Sequence, residues 1–238
     1  MKALLKKELG FYLNNPIGYI VIGLFAVFAN FMFVKDIFIS GSASLRPFFD
    51  ILPWLLMIFI PALTMRMISE ERRTNTLELL LSLPISESQI ILAKFCSVMV
   101  LTGIGLILTM GLPLSMNILT ASVGGHIYLP EIIVAYGGVL LVAAAFTAIS
   151  LFFSSLTKNQ IIAFLGSVLT IFFLIIFSTD FAAGVLPPVV QSVLNYLSPV
   201  TQLSGFVKGV LDLRAVFYFL SLTALFLFLT VTDLEKRS

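Results

Sequence analysis

The sequence predicts an all-α integral membrane protein with six transmembrane helices. An N-terminal interfacial elbow helix, a helical cytoplasmic insert and a broken external helix before the last span complete the plan. Two observations lead there. Hydrophobic residues fill 59% of the 238 positions and charged residues 11%, with mean hydropathy +1.10. A water-soluble domain carries roughly 25% charged residues, so this chain has too little polar surface to enclose a core in water. The charges are also clustered, and the uncharged runs between them reach about 20 residues, the helical length that crosses a hydrocarbon core of about 30 Å.

Over residues 2–14, Leu5, Leu9, Tyr12 and Leu13 share one helical face, while Lys2, Lys6 and Lys7 lie mainly off it. That is the pattern of an elbow helix lying at the membrane surface; a basic N-terminal tail is the plainer alternative. Asn14, Asn15 and Pro16 break this helix and start the first span at 16–34. The run is too long for the core of a signal peptide and no A-x-A site follows it, so it reads as a retained helix. Further spans fall at 48–65, 95–118, 132–154, 160–178 and 215–232, joined outside by connectors at 35–47 and 119–131. With the N-terminus inside, the inner segments hold Lys2, Lys6, Lys7, Arg66, Arg72, Arg73, Lys94, Lys158, Lys236 and Arg237. The outer segments hold only Lys35, Arg46, Lys208 and Arg214. The excess of basic residues inside predicts that both termini are cytoplasmic. The segment 181–212 has breakers and polar groups at Pro187, Pro188, Asn195, Ser198, Pro199 and Gln202, too many for a lipid-facing helix. Within it, Val189, Val190, Val193, Leu194 and Leu197 suggest a short amphipathic helix at or dipping into the outer surface.

Most chemistry is excluded. The net charge of +2 gives no footprint for nucleic acid. No Gly-Lys pair exists, so the chain has no phosphate-binding loop. One His and one Cys leave a zinc centre only carboxylates to add around them, which argues against a metal role. His126 reads as a solvated loop histidine and Cys96 as a buried inert thiol. Arg46 and Asp50, one turn apart, read as an ion pair at a helix end. Asn30, Thr102, Thr109, Asn117, Thr147 and Ser150 are scattered, as hydrogen bonds between helices would be. Gly103 with Gly105, Gly137 with Gly138, and Ala144 with Ala148 suit close helix approach. A secondary carrier would place charges at the midplane, and the spans lack them.

The stretch from Arg66 to Lys94 stands apart, with eight charges in 29 residues: Arg66, Glu70, Glu71, Arg72, Arg73, Glu78, Glu87 and Lys94. A first helix carries Glu70 to Arg73 and ends at Asn75, a residue that tolerates the left-handed conformation. Thr76 is a plausible cap for a short apolar helix with Leu77, Leu79, Leu80, Leu81 and Leu83, closed by Pro84. Ser86 then caps a third helix that passes through Lys94 into the next span.

This insert resembles the cytoplasmic loop of ABC-2 type transporter permeases, whose recurrent pattern is E-x-x-x-G-T-x-E-x-L-x-x-x-P followed by a lysine about ten residues on. Glu71, Thr76, Glu78, Leu80, Pro84 and Lys94 supply it, with Asn75 in place of the glycine. L-K-K-E-L, N-P-I-G-Y-I at residues 5–20 and Ser198-Pro199 agree, and the whole most resembles the gliding-motility-associated branch. The resemblance implies one ABC-2 type transmembrane domain over 1–238 in a bacterial inner membrane, a permease subunit of export type and not an enzyme. It implies a second permease copy or related permease, and two ATP-binding subunits that carry ATP and Mg, with no cofactor on this chain. It also implies an ATPase-coupling site of Glu70, Glu71, Arg72, Arg73, Asn75, Thr76, Leu77, Glu78, Leu80, Leu81, Pro84 and Lys94. The leucines would fill a cleft on the ATPase and the charges fix the register. Glu78→Lys or Leu80→Asp is then expected to release the ATPase without unfolding the spans. The alternative is a non-transporting, force-transmitting scaffold that uses the same loop.

Overall fold

A computed structural model describes residues 2–40, 45–82, 84–111, 113–115, 118, 129–176 and 194–236. Its helices are α1 (Lys2–Asn14), α2 (Pro16–Ser40), α3 (Arg46–Thr64), α4 (Ser69–Arg73), α5 (Thr76–Leu81), α6 (Glu87–Thr109), α7 (Leu129–Leu156), α8 (Gln160–Ile176), α9 (Pro199–Val207) and α10 (Leu213–Glu235). Among the described residues every regular element is helical, as a chain without water to satisfy its backbone requires.

Five stretches are long and apolar enough to cross a bilayer: Gly18–Lys35, Arg46–Arg73, Glu87–Ser115, Pro130–Leu156 and Leu213–Glu235. The fifth expected span, 160–178, corresponds to α8, an apolar helix of 17 residues, and residues 177–193 beyond it lie outside the described set. His126, Asn117, Leu83, Val189, Val190 and Val193 lie outside it too. The protein is therefore an all-α, multi-pass membrane protein.

Local chemistry sets the element ends. Pro16 starts α2, where its missing N–H costs nothing. Pro53 and Pro61 lie inside α3, and Thr64 Oγ1 donates to the carbonyl of Ile60 at 3.0 Å beside the second of them. The left-handed Gly209, φ 74°, closes α9, with the Val210 amide reaching back to the Gly205 carbonyl at 3.0 Å. Asp212 caps α10 by accepting from the Arg214 amide at 2.9 Å.

The centre of the bundle is α7, which touches α3, α6, α8, α9 and α10. Its 28 residues extend about 42 Å at 1.5 Å per residue, longer than the hydrocarbon core. Ala135, Ala143, Ala145 and Ala148 are fully buried on it, so neighbouring backbones approach closely. Of the expected glycine pairs, one member each makes contact. A Cβ on Gly138 would lie 2.6 Å from the Phe206 Cβ, and one on Gly105 3.1 Å from the Phe25 ring, whereas Gly137 and Gly103 face open space. The helix α9, in the segment expected to lie at or dip into the outer surface, packs Leu203, Phe206 and Val207 inward on α7 and α3. At this end Arg46 on α3 pairs with Glu131 on α7 at 3.6 Å.

The polar groups in spans bridge helices where partners exist. The Thr109 and Tyr136 hydroxyls meet at 3.0 Å between α6 and α7, and Asn30 reaches the Leu108 carbonyl at 3.5 Å. Cys96 is half-buried rather than buried. A second apolar cluster, separate from the main one, closes the end that carries α1, α4 and α5; Leu4, Leu63, Ile68, Leu77, Leu80 and Ile91 belong to it.

Candidate functional site

The insert folds as helix, break, helix, break, helix. The Thr74 amide closes the last turn of α4 on the Glu70 carbonyl, and Asn75 follows at φ 57° and ψ 19°. Left-handed backbone is tolerable there because a short polar side chain can settle locally. Asn75 itself occupies the position before α5, so Thr76 is the first helical residue and not the cap. The Thr76 hydroxyl meets that of Thr74 at 2.9 Å and donates to the Glu71 carbonyl at 3.3 Å. Ser86 precedes α6 without a side-chain cap bond and meets Ser88 instead at 3.1 Å.

Only one side of α5 is free. Leu77 and Leu80 are 6% and 7% exposed and belong to the chain's own apolar cluster, whereas Leu79 is 70% exposed. Leu77 and Leu80, expected to fill a partner's cleft, pack instead within the chain's own apolar cluster. The exposed surface of the insert is made by Arg73, Asn75, Thr76, Glu78, Leu79 and Pro84. Arg73 pairs with Glu70 at 3.5 Å within α4.

Beneath this surface lies an ion cluster. Lys94 is 1% exposed, and its ammonium reaches the Met67 carbonyl at 2.8 Å, Glu71 Oε1 at 2.9 Å and Glu8 Oε1 at 3.2 Å. An ammonium has three N–H donors and each finds an acceptor here. Lys94, a member of the expected coupling site, faces inward and ties α6 to α1 and α4. Glu71 and Lys94, the two ends of the loop pattern, are partners of each other. Lys7 adds a second cation 4.0 Å from Glu71. One turn from Glu8, the buried Tyr12 hydroxyl donates to the Leu63 carbonyl, and burial pushes its pKa well above the ordinary tyrosine value, so it stays a donor.

The loop is also fastened to α7. The buried Ser154 hydroxyl accepts from the amides of Ile68 and Ser69, both at 3.2 Å, and donates to the Met65 carbonyl at 3.2 Å. One donor and two acceptor sites exhaust a hydroxyl, so Ser154 spends its full capacity on the turn between α3 and α4, where the Ser69 hydroxyl also donates to the Met65 carbonyl. Next to it, Arg72 donates to the Ser155 carbonyl.

Glu8 and Ser154 are the participants that sequence reasoning missed. Glu8 is an acid among three lysines and reads as part of a solvated face. The signal was the four-residue stripe Leu4, Glu8, Tyr12, which the structure buries, while Leu13, expected on the inner face, is 47% exposed. No local signal marks Ser154 among the serines of α7.

A family model described as ABC-2 family transporter protein matches residues 26–233, from within α2 to within α10, the whole insert included. Comparison with curated proteins returned no match.

Proposed function

Because the chain belongs to the ABC-2 transporter family and is thus a membrane permease subunit of an ATP-binding cassette transporter, we propose that its insert is where it receives the motion of separate ATP-binding subunits. The observation that carries the proposal is the division of the insert into an exposed edge and an anchored base. Arg73, Thr76, Glu78 and Leu79 are exposed, while Lys94 and Ser154 fix the base to α1, α6 and α7. A nucleotide-driven closure of two ATP-binding subunits would push α5 as a rigid body. Ser154 would pass the push to α7, and Lys94 would pass it to α1 and α6.

In this reading Leu79 is the apolar anchor and Glu78 and Arg73 set register from the rim. Asn75, Thr76 and Pro84 shape the edge, and Glu70, Glu71, Arg72, Leu77, Leu80 and Lys94 hold it in place; the Leu81 side chain lies outside the described residues. The chain works as a homodimer or beside a related permease, as an exporter in a bacterial inner membrane with both termini cytoplasmic. ATP and Mg belong to the partner. The deciding experiment is affinity purification of the tagged chain in mild detergent. An ATP-binding subunit should co-purify and should be lost in Glu78→Lys at unchanged thermal stability. Retention of the ATPase at the wild-type ratio in that variant would remove α5 from the coupling surface.

A further inference from the structure

A recess between α1 and the turn joining α3 to α4 shares Glu70 and Glu71 with the base of the insert. It has a volume of about 100 Å³. Phe11 and Tyr12 line it together with Lys7, Glu8, Arg66, Glu70 and Glu71, which bring both signs of charge. Two buried polar atoms on this lining have no hydrogen-bond partner among the described residues: Arg66 Nε, a cationic donor, and Glu71 Oε2, an anionic acceptor. Glu71 commits its other oxygen to Lys94. Buried groups of this kind are normally met, so the pair asks for something that accepts at one end and donates at the other.

Tyr12 also lines a second groove. This one is apolar, has a volume of about 170 Å³ and lies between α2 and α6, with Tyr19, Ile22, Ile104 and Leu108 on its walls. A polar recess of mixed sign therefore stands at the end of the spans and shares a wall with an apolar groove along them. That is the outline of an amphiphile with a zwitterionic head.

We propose that the recess binds a membrane phospholipid of the phosphoethanolamine class. The phosphate is taken by Arg66 and Lys7, the ammonium donates to Glu71 Oε2, and an acyl chain lies in the Tyr12 groove. A choline head has no N–H to give Glu71, and a purely anionic head would add negative charge beside Glu8, Glu70 and Glu71 without bringing a cation to Glu71 Oε2. The site needs only that the chain spans a bilayer; it does not depend on the ATPase reading.

The test is native mass spectrometry of the full chain, delipidated in mild detergent and offered equimolar phosphatidylethanolamine, phosphatidylcholine and phosphatidylglycerol with identical acyl chains. Phosphatidylethanolamine should be retained over each of the others by about tenfold, the worth of one charge-assisted hydrogen bond. Arg66→Gln should erase that preference at unchanged melting temperature. Should Arg66→Gln not fold, the exposed Lys7→Gln decides by the same readout. Equal retention of the three lipids, preference for phosphatidylglycerol, or an undiminished preference in the variants would overturn the proposal. Soluble phosphoethanolamine binding as tightly as the lipid would overturn the lipid as its source.

Discussion

Lys94 lies in a protein interior with two carboxylates and a carbonyl around one ammonium, and its worth follows from what remains when it is removed. In Lys94→Met, Glu8 and Glu71 face each other without the cation, and a buried pair broken from one side costs about 3–5 kcal/mol. Glu71 retains some solvent, which places the expected loss near the lower figure. The melting temperature in detergent should fall clearly in Lys94→Met and recover in part when Glu8→Gln is added. An unchanged melting temperature in the single variant would mean that the cluster does not hold α1 in place. The sequence named Lys94 through its spacing from Pro84, but it could not say that the side chain points inward. Its partner Glu8 lies 86 residues away, and no local pattern connects the two.

Among the elements, α5 separates what pattern can and cannot reveal. Its run of leucines between Asn75 and Pro84 is legible as a short apolar helix, and the left-handed Asn75 is where a glycine-like residue was expected. Which leucine faces out depends on where the rest of the chain lies. Leu79→Asp should therefore release the ATPase with no change in thermal stability, because Leu79 touches little else. Leu80→Asp should instead lower the melting temperature, since it puts a carboxylate into the closed apolar cluster at a cost of several kcal/mol. Co-purification and thermal denaturation of both variants check this together. Loss of the ATPase without destabilisation in Leu80→Asp would restore the original expectation for that residue.

For the assembled bundle, the contact of α7 with α9 supplies the sharpest contrast. Alanine is worth up to about 1 kcal/mol over glycine inside a helix. Gly137→Ala, with open space around it, should be neutral or stabilising. Gly138→Ala must displace Phe206, whose Cβ and ring lie within 2.7 Å of the new carbon, and should be destabilising. Thermal unfolding of the two single variants reads the difference directly; equal behaviour would deny the close approach of α9. Both glycines were singled out in the sequence as packing devices, but neighbours in sequence lie about 100° apart on a helix, so only one of them can face α9.

The membrane location, the apolar helices and the helix–break–helix insert were all legible in the chain, because each reflects a local preference. Hydrocarbon length selects the spans, a left-handed residue breaks α4 from α5, and proline closes the leucine helix. Facing was not legible. A span is apolar on every side, so the periodicity that orients a helix in a water-soluble protein carries little information in lipid. Packing alone put Leu79 outside and Leu80 inside, and joined Glu8, Glu71 and Lys94. Packing also set the hydroxyl of Ser154 under a turn 85 residues away in sequence. Those pairings come from satisfying buried polar groups between segments distant in sequence, a condition that exists only once the helices have met.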